Sequence, residues 1–342
     1  MSQFPIPPQP PAAPAPPRRR LRRAFHYLLP FLVIAIAAGI WQRERLWVWY
    51  CAERLERASE ENRSVWGDKL AAAGESAVPS LLGLLRNDDP AVCAAAKGAM
   101  DKLVAGWPPD DPRRATFAQR FVDAEPRFST PGRAAALDLL PVVIASGTPE
   151  VIEQAKRMVA TAAKSESTDV RIQAVAAALR PEVDCLEAVV PLLSDPAPEV
   201  RRAAILALGP ARDGRPVLAD DDLLRSLHDT DPEVRQLCEM GLRSRGRSPR
   251  DIRLGRRYTD PNASERQKLL IDLADEEDLD LTVWLERLTA DTDPAVRAGA
   301  ARVAAERRAD LAVRLEQMSR TDPDGTVRRI AGYYHKKMVT TR

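Results

Sequence analysis

The chain has 342 residues, with 51 Lys and Arg against 49 Asp and Glu, 29 Pro, 4 Cys, 3 His and 5% aromatic residues. Four cysteines cannot staple a chain of this length as they would a miniprotein, and 45% hydrophobic with 29% charged residues is too core-rich for a wholly disordered chain. The net charge of +2 hides a segregation: residues 1–23 hold five Arg and no acid, so the remainder, with 46 basic and 49 acidic residues, stands at −3.

Residues 1–17 contain eight Pro, which fix φ and leave little to bury, so residues 1–23 are predicted to be a disordered Pro/Arg-rich tail. Pro14, Pro17 and Arg19 also fit a PxxPx[R/K] pattern, although such tails commonly act as spacers. Arg18, Arg19, Arg20, Arg22 and Arg23 then precede an uncharged stretch from Ala24 to Trp41. At ~1.5 Å per residue, 18 helical residues rise about 27 Å, just enough for a bilayer core, and predict one transmembrane helix over residues 24–42. The Arg excess on its N-terminal side, against Arg43 and Arg45 beyond it, places the N-terminus in the cytoplasm and the rest outside. Trp41, Trp47, Trp49 and Tyr50 follow as an interfacial collar. Two alternatives stand beside the anchor: a signal peptide cleaved near Ala35-Ile36-Ala37, and a buried soluble helix. Residues 43–76 read as a juxtamembrane helix and an N-terminal cap.

Beyond the cap one signature recurs: an Asp, usually a Pro, a Val two to five residues later, usually an Arg, then small and apolar residues at helical spacing. Its marker valines are Val92, Val170, Val200, Val234, Val296 and Val327, with gaps of 78, 30, 34, 62 and 31. The two double-length gaps hide repeats. Pro131-Gly132-Arg133 divides the first, and the segment from Pro261 to Leu273, with Glu265 at the marker position, divides the second into 31 and 31. Asp before Pro caps the orphan N–H groups of a second helix, and Pro sits where its missing donor costs nothing. Apolar first helices precede at 77–85, 187–193, 221–227, 281–288 and 311–318. A single such hairpin cannot bury its own face, so the fold predicted for residues 77–342 is an all-α solenoid of about eight stacked hairpins.

The intact cores Asp231-Pro232-Glu233-Val234-Arg235 and Asp293-Pro294-Ala295-Val296-Arg297 resemble HEAT repeats of the short-period, phycobilisome-lyase-like kind. The resemblance covers about three-quarters of the chain. It implies structural roles for Asp231, Pro232, Val234, Arg235, Asp293, Pro294, Val296 and Arg297, with the Asp and Arg of each core forming a ladder between successive turns. Cys93 replaces that Arg in the first repeat, and the repeats at 132 and 265 lack the Val.

No recognisable catalytic motif is present: the sequence has no HExxH, no glycine-rich phosphate loop, no GxSxG elbow and no CxxC. The expectation is therefore a non-enzyme with no catalytic, cofactor or metal site. One local anomaly is the stretch from Gly241 to Tyr258, where Arg243, Arg245, Arg247, Arg250, Arg253, Arg256 and Arg257 face one Asp251, a local +6. Guanidinium forks suit anionic partners, which makes these seven the candidate partner contact. The acids at 272, 275, 276, 277, 278 and 280 lack an EF-hand's Gly and spacing, and offer intramolecular partners instead. The leading expectation is a membrane-anchored protein-interaction scaffold with an extracytoplasmic solenoid and protein partners. The alternatives are a lyase-like or other enzyme using the concave face, and polyanion or nucleic-acid binding through Arg243 to Arg257, which the exported topology opposes.

Overall fold

The computed structural model describes residues 43–211, 217–275 and 280–340. The tail at 1–23 and the transmembrane helix expected at 24–42 lie outside the described residues. Among those described, all regular structure is helical, and no helix is long and apolar enough to cross a membrane. The chain divides into two compact units whose boundary runs through one helical hairpin near residues 117–133.

Unit 1 begins with α1 (43–57) and α2 (Glu60–Ala72), and continues through α3 (Val78–Leu84) and α4 (Pro90–Ala105) into the start of α5 (Pro112–Ala124). Val48, Cys51 and Leu55 are the buried side of α1, and α2 lies along α4. Asp89 caps α4 by accepting from the Ala91 N–H at 2.8 Å, with Pro90 in the first turn. The marker Val92 is 1% exposed. The missing marker at 132 has a steric cause: a Cβ on Gly132 would sit 1.8 Å from the Leu85 carbonyl oxygen, so the close approach excludes every side chain.

Unit 2 takes in the end of α5 and most of α6 (Thr130–Ser146), then α7 (Pro149–Ala162) and α8 (Thr168–Ala178). A 3₁₀ segment, Leu186–Ser194, precedes α9 (Pro198–Leu208). The pairs α10 (Asp220–Arg225) with α11 (Pro232–Ser244), α12 (Pro249–Tyr258) with α13 (Ala263–Asp275), α14 (Leu281–Leu288) with α15 (Pro294–Glu306), and α16 (Ala312–Thr321) with α17 (Gly325–Thr340) complete it. Both hidden repeats are thus helices, α6 and α13. The apolar stretch at 187–193 is a 3₁₀ segment where an α-helix is expected, with Pro191 inside it.

The second helices carry the repeat. Val170, Val200, Val234, Val296 and Val327 are each at most 1% exposed, and so are the residues four further on, Ala174, Ala204, Cys238, Ala300 and Ala331. Small residues at that second position let neighbours approach. Between α9 and α11 the approach is closest at two glycines: a Cβ on Gly241 would lie 3.0 Å from the Gly209 Cα. Asp231, Asp293 and Asp324 cap α11, α15 and α17, accepting from the second and third N–H groups at 2.7–3.1 Å. Each cap contributes about 1 kcal/mol.

Val234→Asp puts an unpaired carboxylate among Ile205, Leu223, Leu227 and Leu242. Chemical denaturation should show a loss on the order of 4 kcal/mol; an unaltered midpoint would show that the marker positions do not face the core.

Candidate functional site

The residue after each marker sets the geometry between repeats. Arg171, Arg201, Arg266 and Arg297 each form a two-pronged ion pair with a carboxylate at the next inter-helix turn: Asp195 (2.7 and 2.9 Å), Asp229 (2.7 and 2.7 Å), Asp291 (2.8 and 2.9 Å) and Asp322 (2.9 and 2.9 Å). The remaining nitrogen of each turns back on its own turn. Arg297 Nη1, for example, donates to the carbonyls of Asp291 (2.9 Å) and Thr292 (3.0 Å). Arg235 and Arg328 make the same backward clamp.

The partner of the core arginine is therefore not the Asp of the DPxVR core, which the resemblance implies. It lies two residues earlier, at Asp229, Asp291 and Asp322, while Asp231 and Asp293 cap their helices and Asp231 also pairs with Arg202 of the repeat before. The ladder acid also accepts the N–H two residues on, as Asp229 does from Asp231 at 2.8 Å. A carboxylate in this position ties three segments together.

Electrostatics follow the geometry. Burial pushes the Asp195 and Asp229 carboxyls upward, but the guanidinium of Arg171 or Arg201, together with a backbone N–H, outweighs it and holds both below the ordinary carboxylate range. The Arg297 guanidinium does the same for Asp322, and the Arg202 guanidinium holds the cap Asp231 down at about 2.

Between α11 and α13 the rung is missing. Among the described residues Arg235 forms no pair with Asp260; instead His228 donates through Nε2 to the Arg256 carbonyl (2.7 Å), with Nδ1 4.0 Å from Asp260. Direct packing of α11 on α13 is slight, and the buried side chains fall into two clusters, one ending at Ile252 and the other starting at Leu254. The seam explains the Glu265 marker: it is half-buried and pairs with Lys268 (2.6 Å), because no tight helix contact demands a valine there. On the first-helix side α10 and α14 are bridged across α12 by Arg287, which pairs with Asp221 at 2.8 Å and lies over the Trp284 and Tyr258 rings at 5.1 and 5.7 Å. Two clefts of about 410 and 760 Å³ flank this bridge, both lined by Val283 and Arg287.

The Arg-rich stretch is distributed around the same seam. Arg245 is a buried brace: it donates to the carbonyls of Leu208 (2.7 Å), Gly209 (2.5 Å) and Leu218 (2.8 Å) and to Asp220 (2.9 Å). Arg247 shares Asp220, Arg243 and Arg256 share Glu239, and Arg257 pairs with Asp272. Arg250 and Arg253 lie in α12, the first half-buried and the second exposed. Asp272 is thus one acid that neutralises the stretch; Glu276, Glu277 and Asp278 fall outside the described residues. The four cysteines are all free and buried. Burial pushes the Cys185 and Cys238 thiols up to about 11 and about 12, which disfavours the nucleophilic thiolate. No group of His, Cys, Asp or Glu among the described residues could hold a metal ion.

A feature that the motifs do not announce lies on the outer side of the second helices. Leu206, Met240, Ile271 and Tyr333 are 56–63% exposed, and each stands six residues after its marker. At about 100° per residue that position is opposite the buried faces at four and eight after the marker. Arg302 holds the equivalent place on α15. Since α9 packs on α11, and α13 on α15 on α17, the same register on neighbouring helices makes a row that is apolar at Leu206 and Met240 before the seam and is interrupted by Arg302 between Ile271 and Tyr333 after it. The sequence signal was available: an apolar residue recurring where the helical period calls for a polar one.

Residues 155–243, from α7 to α11, match the family described as HEAT repeats. No curated protein matches the chain significantly. Among solved structures, the chain is similar to one described as the crystal structure of an engineered protein, at 18% identity over 86% of this chain and 89% of that one, with a TM-score of 0.35.

The depressed ladder carboxyls fix the sign of the acid response. Their contribution is fully present above the ordinary aspartate range of about 4, and is lost as pH falls through their lower folded values. Melting temperature should therefore be flat from pH 7 to about 4.5 and drop below it. Asp322→Asn should be less stable at pH 7 by about 3 kcal/mol, with a shallower acid slope; a parallel slope would show that the rung does not couple to folding.

Proposed function

We propose that this protein is a membrane-anchored scaffold whose HEAT-repeat region docks protein partners on the extracytoplasmic side. The HEAT match at 155–243 supports a protein-interaction role. The observation that carries the reading is the exposure of Leu206, Met240, Ile271 and Tyr333 at one repeat position, since each is a large apolar side chain that burial in a partner would stabilise. The anchor and the orientation rest on the uncharged stretch 24–41 and on five Arg before it against Arg43 and Arg45 after it. The assignment to the short-period kind of repeat rests on the spacing of 31 residues in the last four units. The role requires no catalytic group.

Polyanion binding through Arg243 to Arg257 is the lesser reading, because Arg243, Arg245, Arg247, Arg256 and Arg257 already face carboxylates within the chain. The test is crosslinking in intact cells with a membrane-impermeant reagent. The wild type should be captured with a partner. The combined change Leu206→Ser, Met240→Ser and Ile271→Ser should keep its melting temperature within a few degrees, since surface changes cost about 0.5 kcal/mol or less each, and lose most of that capture. Undiminished capture would remove these residues as the docking face, and a wild type inaccessible to the reagent would overturn the orientation.

A further inference from the structure

We propose that the first two turns of α1 are a lipid-contact surface that seats unit 1 in the headgroup layer of a bilayer. This rests on the reading of residues 24–42 as a membrane anchor, and adds to it a contact made by the folded body.

The five residues at 43–47 are all exposed, on every side of the helix, and packing against unit 1 begins only at Val48. On this exposed stretch and the turn after it, Leu46, Trp47, Trp49 and Tyr50 are 59%, 48%, 61% and 38% exposed. None of them is needed by the core, which takes Val48, Cys51 and Leu55 from the opposite side. Trp47 and Trp49 stand on the two flanks of the outer face with Tyr50 between them, so the aromatic surface wraps the helix. One turn further on the outer face becomes Glu53, Arg54 and Arg57, which limits the apolar zone to about two turns.

The chemistry of the surface matches the bilayer interface. Trp and Tyr favour the headgroup level, where one edge of the ring is apolar and the other wet. Cations accompany them: Arg43 and Arg45 are exposed on the same stretch, the Arg54 guanidinium lies 5.2 Å from the Tyr50 ring centre, and Lys69 Nζ lies 3.7 Å from that of Trp66, whose ring packs edge-on to Tyr50 at 5.9 Å. Guanidinium and ammonium groups at this depth can pair with lipid phosphates. Position selects the bilayer over a protein partner. The aromatic cluster begins six residues after the uncharged stretch ends at Trp41. Eighteen helical residues rise about 27 Å against a core of about 30 Å, so a spanning helix of that length draws the turn that follows it toward the headgroups.

The experiment uses the full chain reconstituted into phosphatidylcholine vesicles, with lipids brominated either near the headgroup or near the acyl-chain end as quenchers of tryptophan fluorescence. The wild type should be quenched more by the shallow label. The conservative double variant Trp47→Phe with Trp49→Phe, at exposed positions, should keep its melting temperature and lose at least half of that quenching. Quenching unchanged in the double variant would overturn the proposal, as would shallow quenching no stronger than deep quenching. Loss of a protein crosslink in the double variant with quenching unchanged would assign the surface to a protein instead, and also overturn it. Extraction with alkaline carbonate, carried out after the quenching measurement, reads the anchor separately: retention in the pellet supports it and release overturns it, whichever way the quenching falls.

Discussion

At four of the repeats a single arginine after the marker residue sets the spacing and angle to the next. Its guanidinium is a rigid fork, so two prongs on the next turn's carboxylate and one nitrogen on its own turn's carbonyls fix both ends at once. At Arg171, Arg201, Arg266 and Arg297 this holds adjacent turns within hydrogen-bond distance. The pairs are largely sequestered, so removing one partner leaves a charge with neither water nor counter-ion. A lysine ammonium could supply the charge and three donors but not the planar fork that meets both carboxylate oxygens while a further nitrogen turns back, and none of these positions is Lys. The valine before each arginine is then carried into the core, and the cap Asp starts the helix in the right orientation.

Where the arginine does not reach forward, the rest of the pattern changes with it. At Arg235 the backward clamp survives, but the forward rung to Asp260 does not form, and α11 and α13 barely pack. The marker becomes Glu265, the core divides between Ile252 and Leu254, and polar bridges take over: His228 to Arg256, Arg256 to Glu239, Arg257 to Asp272 and Arg287 to Asp221. Of the Arg-rich stretch, Arg256 bridges the seam to Glu239, while Arg245 and Arg247 brace the start of α10. In the first repeat, where Cys93 stands in place of the arginine, the thiol takes a reduced version of the backward clamp, with Sγ 3.2 Å from the Asn87 carbonyl.

Much of this was legible in the sequence, for identifiable reasons. The marker valines, the caps and the two hidden helices follow from periodicity and from Asp-Pro, which are local signals. Asp229 and Asp231 are equally acidic in the sequence, and only their hydrogen bonds show that the first takes the core arginine while the second caps α11. Gly132 looked like a degenerate marker, and its cause, the Leu85 carbonyl, is forty-seven residues away in the chain. Arg245 and Arg253 cannot be told apart by composition, although one is a buried brace and the other is exposed. The exposed apolar residues six after the marker carry no motif, and their exposure in the folded chain sets them apart from the core positions.

The central claim is that the Arg-to-Asp rungs set cohesion between neighbouring repeats, so that cohesion is lowest where the rung is absent. Native-state hydrogen exchange, resolved by peptide, tests it most directly. The turn at residues 259–262 and the first turn of α13 should open at lower free energy than the equivalent turn at 322–325 and the first turn of α17, where Arg297 grips Asp322. Equal or greater protection at 259–262 would contradict the account.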